Sequence, residues 1–234
     1  MPETAKLGLP LVAAAQAQKH VTVNESLIRL DALVQLSLGS VGSAVPPVSP
    51  EEGEAHAVGQ GASGDWSGHD GQVAVFANGG WVFLTPEIGW QGSYNGVRVQ
   101  FDGAGWQEGA GALSANGAGF VQRTLEVDHA VQSGSTSVVA GAIPENAIVY
   151  GVTGRVLSDI GGATGLELGV AGSGDRYGSG IGTSAGAWLR GLTGSPLTYY
   201  ASTDLILTAL GGSFDGTGVV RIAVHFAELT LPRA

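Results

Sequence analysis

Phe76-Ala77-Asn78-Gly79-Gly80-Trp81 recurs, aromatic for aromatic, as Phe101-Asp102-Gly103-Ala104-Gly105-Trp106. Each copy follows an alternating apolar run, Val73-Ala74-Val75 and Val97-Arg98-Val99. Asn-Gly and Asp-Gly between such runs supply the positive φ that a tight hairpin turn requires. The two copies predict two hairpins of one small antiparallel sheet within residues 51–108. Four of the five tryptophans, Trp66, Trp81, Trp90 and Trp106, fall in the same stretch. In so small a sheet they are the obvious core, while flat aromatic faces also suit a sugar or a neighbouring subunit.

Downstream, the Gly/Ala-rich segment 109–119 reads as a flexible linker or a tight extended crossing. From Phe120 onward the pattern is β throughout. Strands are expected at Leu125–Val131, Ser137–Ala140, Ile148–Leu157, Leu166–Val170, Ala187–Leu192, Leu205–Leu210 and Val219–Leu231. Turn signals separate them at sandwich-like spacing. In the last of these, Ile222, Val224 and Phe226 alternate with Arg221, Ala223 and His225, giving one buried and one exposed face. Residues 120–234 are thus expected to form a β-sandwich or jelly roll.

Upstream, Pro46-Pro47-Val48-Ser49-Pro50 is a stiff connector. Before it, residues 1–45 read as an anchoring arm and helix. Leu7-Gly8-Leu9-Pro10-Leu11 suggests an extended arm, and 13–20 a helical turn. Thr22 and Glu25 have capping-box spacing. Leu27, Leu30, Val34 and Leu38 recur at helical spacing, with Gly39 and Ser40 as the stop. Leu33 and Leu36 widen the apolar stripe beyond one face, so the helix needs cover on two sides. A neighbouring subunit could supply it. The fold class is therefore mainly β: an N-terminal helix, a small Trp-rich antiparallel domain, then a sandwich.

Composition narrows the functional classes. The 234-residue chain has no cysteine, which excludes disulfides and thiolate metal sites. Its net charge of −10 disfavours a phosphate backbone as partner. No apolar run reaches the roughly 18 residues of a spanning helix, and the first residues lack a secretory pattern. Neither nucleic acid nor membrane is an expected partner, and assembly in a bacterial cytoplasm is. Glycine is abundant at 40 residues while charged residues are only 13%. That balance fits either a surface buried against other copies or an ordinary sandwich with many tight turns.

Catalytic patterns are weak. Gly182-Thr183-Ser184-Ala185-Gly186 matches a nucleophile elbow, but no helical pattern follows to raise the hydroxyl over a parallel sheet. Gly59-Gln60-Gly61-Ala62-Ser63-Gly64 matches a dinucleotide fingerprint without the strand and helix it needs. The five histidines share no metal-ligand spacing, and the acids are scattered rather than paired. Asp65, Asp175 and Asp215 sit in turns, where turn chemistry accounts for them and weak Ca²⁺ binding is the alternative. No catalytic residue, cofactor or metal is expected. The remaining candidate surface is Trp188, Arg190, Tyr199, Tyr200 and Tyr177, an aromatic–polar set among Gly/Ser/Thr-rich loops suited to neutral glycans.

Leu7-Gly8-Leu9-Pro10-Leu11, then Ala15-Gln16-Ala17-Gln18-Lys19-His20-Val21-Thr22 and Asn24-Glu25, resemble the phage and gene-transfer-agent proteins grouped as DUF2793. The resemblance runs through Leu30-Asp31-Ala32-Leu33-Val34-Gln35 to about residue 108, and more loosely into Ile222-Ala223-Val224-His225-Phe226. It implies a virion component, a head spike by preference, that attaches at a capsid vertex or tail and contacts host capsular polysaccharide. Leu9, Gln16, Gln18, Lys19, His20, Asn24, Leu27 and Leu30 become the anchoring candidates, in a homo-oligomer that is trimeric for a fibre or pentameric at a vertex. A tail-associated protein, a stand-alone carbohydrate-binding module and a capsule depolymerase are the competing readings.

Overall fold

The structure, a computed structural model, describes residues 2–13 and 19–234; of Lys19 and His20 only the backbone is described. The protein is mainly β, with one helix at its N-terminal end. It divides into two compact units, residues 1–119 with 230–234, and residues 120–229.

The first unit is built on a seven-stranded sheet. Its strands are β1 (Ser37–Ser43), β2 (Ala55–Val58), β3 (Val73–Ala77), β4 (Gly80–Leu84), β5 (Gln91–Tyr94), β6 (Val97–Phe101) and β7 (Trp106–Glu108), in the order β4-β3-β2-β1-β5-β6-β7. The two repeat copies are the hairpins at its ends. Phe76 pairs directly with Trp81 and Phe101 with Trp106. Their ring centroids are 5.1 and 5.6 Å apart in edge-on or tilted contact, the favoured geometry for aromatic pairs. The turns differ in chemistry. Asn78 and Gly79 both take positive φ, 52° and 74°. At the second, the Asp102 carboxylate accepts the Ala104 and Gly105 amides at 2.8 and 2.9 Å.

Between the hairpins, β1 runs parallel to both β2 and β5. This central strand corrects the expected helix end. Helix α1 spans Lys19–Val34, and Leu38-Gly39-Ser40 lies in β1. Leu36 and Leu38, two residues apart, bury against Ala55, Ala57, Val73 and Val75 with Ala32 of α1. The period-two alternation into a sheet core prevails over helical spacing, helped by glycines that weaken a helix. Thr22 lies inside α1, where its carbonyl accepts the Ser26 hydroxyl at 2.8 Å, so the expected capping box does not form. On the other side of the sheet, Trp66 packs with Val58, Ala74, Trp81 and Phe83. Of the four tryptophans in this stretch, Trp66 is buried in the core, while Trp81, Trp90 and Trp106 are half-buried.

The expected extended arm is a folded loop. Glu3 bridges Pro10, and Thr4 N–H donates to the Leu9 carbonyl at 3.0 Å. Buried Asp31 clamps this loop to α1, accepting from Thr4 Oγ1 at 2.6 Å, Leu7 N at 2.7 Å and Lys6 N at 2.9 Å. After β7 comes a further short strand, β8 (Ala110–Leu113), inside the segment expected as linker.

The second unit is a two-sheet sandwich. One sheet has the order β10 (Thr136–Ile143), β15 (Thr203–Leu210), β12 (Gly165–Val170), β13 (Ser173–Ile181). In the other, β14 (Trp188–Tyr199), β11 (Ala147–Ser158), β16 (Val219–Thr230) and β9 (Gly119–Ala130) lie side by side. Leu166, Leu168, Leu205 and Leu207 of the first meet Val149, Val152, Ile222, Val224 and Phe226 of the second in one core. Strand β13 had no counterpart among the sequence expectations. It is Gly/Ser-rich and inserts only Tyr177 and Ile181 as buried side chains.

Candidate functional site

Alternation along β14 turns Leu189 and Gly191 inward and leaves Trp188, Arg190 and Leu192 on the outer face. Along β11 the outward residues are Thr153, Arg155 and Leu157. Register then fixes who faces whom: Arg155 stands opposite Trp188 on one side and Arg221 on the other. One row further, Thr153 lies between Arg190 and Ala223. With Glu126 of β9, these side chains line an open groove of about 510 Å³.

The charges in the groove are not alike. Arg221 donates in bidentate fashion to Asp128, Nε to Oδ1 at 2.6 Å and Nη2 to Oδ2 at 2.7 Å, with Glu126 at 3.6 Å. The Arg221 hydrogen bond holds the Asp128 carboxyl below the ordinary range, and the same pair pushes the guanidinium further up. Arg155 and Arg190 have no ionic or hydrogen-bonding partner among the described residues. Beside them Trp188 is 63% exposed, a large apolar face left in water. At the groove's margin, Thr153 Oγ1 and His225 Nε2 are 2.9 Å apart, and His225 Nδ1 is 3.3 Å from Thr124 Oγ1.

The groove gathers Trp188 and Arg190 of the expected glycan set and separates them from the rest. Tyr177 is 2% exposed, and its hydroxyl is 2.8 Å from that of Tyr199. Burial drives its hydroxyl well above the ordinary titration range. It is a core residue, one of the two side chains that β13 buries. Tyr199 closes β14, up to roughly 35 Å along the strand from Trp188. Tyr200 follows in a turn, 82% exposed. Arg155 opposite Trp188, and Arg221 beyond it on β16, were missed as groove residues because cross-strand register is not written in any local motif.

Ser184 sits in the turn between β13 and β14, where the Ala185 amide donates to Asp159 Oδ1 at 2.7 Å. The Gly59–Gly64 segment is a loop whose Gly61 and Ala62 amides donate to the Asp70 carboxylate. Asp215 closes its own turn through Thr217 Oγ1 at 2.6 Å. Among the described residues, no three His, Asp or Glu side chains cluster in a way that would hold a metal ion. No helix among them is long and apolar enough to cross a membrane.

Of the anchoring candidates, Gln16 and Gln18 lie outside the described residues. Lys19 and His20 open α1. Leu9 is half-buried in the folded arm. Asn24 is engaged within the chain: its Oδ1 accepts Val12 N–H at 2.8 Å and its Nδ2 donates to the Val12 carbonyl at 3.1 Å. It fastens the arm rather than offering a free amide. Leu27 is half-buried, whereas Leu30 is 53% and Val34 58% exposed. With exposed Val23, these residues are spaced four, three and four apart, a continuous apolar stripe on one helix face.

The DUF2793 family, described as a protein of unknown function, matches residues 23–107. Among solved structures, the chain is similar to one described as "Cyanophage Pam1 capsid asymmetric unit", at 23% identity and a TM-score of 0.34, covering 51% of this chain and 91% of that one. No curated protein matches. The segment that matches the DUF2793 family takes in α1 from Val23 and the hairpin sheet as far as Gln107 of β7.

Proposed function

We propose that this protein is a structural, non-catalytic virion component, a head spike of a gene transfer agent or tailed phage. Its N-terminal unit attaches it to other virion proteins at the capsid vertex or tail. The sandwich unit meets host surface polysaccharide. The observation that carries the attachment half is the apolar stripe Val23–Leu27–Leu30–Val34, left open on a helix inside the DUF2793 segment. A water-facing stripe at 4–3–4 spacing suits the helix of another subunit. The polysaccharide half rests on the Trp188 groove, where a flat ring and hydrogen-bonding guanidinium groups share one open surface.

Leu30→Glu with Val34→Glu tests the attachment. Both positions are exposed, so the chain keeps its fold while the stripe is charged. The variant is expected to be absent from purified particles that incorporate the wild-type chain. Undiminished incorporation contradicts attachment through this face. A stand-alone carbohydrate-binding module is the second reading, favoured by the fact that every groove residue lies in one unit. It predicts saccharide binding without the chain ever entering a particle.

A further inference from the structure

The geometry points to an acidic polysaccharide as the ligand of the Trp188 groove, a sugar carboxylate being taken by Arg155 and Arg190 while the ring stacks on Trp188. This rests on the polysaccharide contact proposed above and replaces the neutral glycans expected from composition.

Three observations support it. First, Arg155 and Arg221 are direct cross-strand neighbours, an arrangement that costs stability in a sheet. Arg221 is compensated by Asp128 and Glu126; Arg155 is not. Second, Arg190 is also without a carboxylate, in a chain carrying only 10 basic residues against 20 acidic ones. Arg155, across the ladder from Trp188, and Arg190, two residues along its strand, give an acidic protein a local positive site beside an exposed indole. Their planar forks match a carboxylate in bidentate geometry, which a neutral hydroxyl does not exploit. Third, the groove is shallow and open at 510 Å³, which admits a chain passing through rather than a small molecule enclosed.

A nucleic acid backbone fits less well. Duplex DNA places a charge about every 1.7 Å, and a protein of net charge −10 with two uncompensated guanidinium groups repels it overall. A polyuronate, with one carboxylate per sugar, can seat a single charge in the site.

The test titrates the full chain with oligogalacturonate, dextran oligomers of matched length, a single-stranded oligonucleotide and inorganic phosphate. Binding is read by calorimetry and by protection of Trp188 from iodide quenching, with Trp188→Phe marking its share of the signal. Oligogalacturonate is expected to bind and protect, weakening as salt is raised. Arg155→Gln and Arg190→Gln should each weaken it about tenfold, as loss of a charge-assisted pair does. Both side chains point into water, so a melting temperature no lower than wild type in each variant checks that the fold is kept. Dextran binding as tightly, unaffected by the arginine variants, overturns the acidic class and leaves the polysaccharide reading standing. No saccharide binding at all, with alginate and hyaluronan added, overturns both. Preference for the oligonucleotide, or an equal response to phosphate alone, overturns the sugar carboxylate.

Discussion

Arg155 and Arg221 face each other directly across the β11–β16 ladder, and Asp128 neutralises only Arg221. The pair is a like-charge contact kept in a sheet that has few charges to place. Replacing Arg155 by threonine, a good strand former without charge, is expected to raise the melting temperature at low salt. In 1 M salt, where the Debye length is about 3 Å, the gain should vanish. Asp128→Asn should do the reverse, lowering the melting temperature most at low salt. A loss of stability on Arg155→Thr would mean that the arginine is held for packing rather than for a ligand.

The clamp at Asp31 fixes the arm to α1. Asp31→Ala removes the acceptor of three hydrogen bonds and leaves the buried Thr4 hydroxyl without it. A loss of about 3 kcal/mol is expected in denaturant titration, the scale of a buried charged acceptor. Hydrogen exchange should show the Lys6 and Leu7 amides newly open. If they stay protected, the arm is held by its own turn instead.

Asp102 links its hairpin to the C-terminal tail. Burial alone would raise its carboxyl. The Ala104 and Gly105 amides, Arg233 Nη1 at 2.7 Å and Gln107 Nε2 at 3.1 Å together hold it below the ordinary range. A carboxyl with a depressed folded value stabilises above the unfolded value near 3.9, and that stability is lost as pH falls through the folded value. Arg233→Ala is therefore expected to move the acid unfolding midpoint upward. An unchanged midpoint would show that the amides suffice.

Two histidines report pH from the other side. Burial lowers His56, with Glu54 partly opposing, and burial lowers His129, whose Nε2 lies 2.7 Å from Ser137 Oγ. His56 Nε2 lies 2.9 Å from Glu54 Oε1 without the alignment of a hydrogen bond. Both sites favour the neutral ring in the folded state. The unfolded chain takes up protons first, so stability should fall as pH drops below about 6.5 toward the folded values. His129→Gln should flatten that slope in melting curves between pH 7 and 5. A slope that persists undiminished assigns it to other groups.

What was legible in the sequence was local. The Asn78-Gly79 turn and the Phe–Trp spacing gave both end hairpins, and the alternation Ile222–Val224–Phe226 gave the inner face of β16. What was not legible depended on partners distant in the chain. Leu38 continues a helical spacing on paper, yet β2 and β5 capture it as a strand. Strand β13 lacks apolar alternation because its neighbours supply the core, with only Tyr177 and Ile181 turned in. A side chain at Gly191 would run into the Tyr177 carbonyl, a closeness no sequence pattern announces. Half of the candidate groove was therefore legible, Trp188 and Arg190 on one strand, and the Arg155–Arg221 half was not.

That closeness gives a test of the sandwich itself. Gly191→Ala should cost about 1–3 kcal/mol, the range for overpacking a tight core, and Gly194→Ala on the same strand, with open space around it, should cost far less. Equal costs would mean that β13 and β14 can move apart freely.

The proposed virion role is tested most directly by imaging. Particles carrying the chain with a C-terminal electron-dense or gold-binding tag would be examined by cryo-electron microscopy. Label at a fixed, symmetry-repeated position on the head vertex or tail, in several copies per position, is the expected result. Purified, infective or gene-transferring particles that carry no label, from cells in which the tagged chain is made and folded, would contradict it.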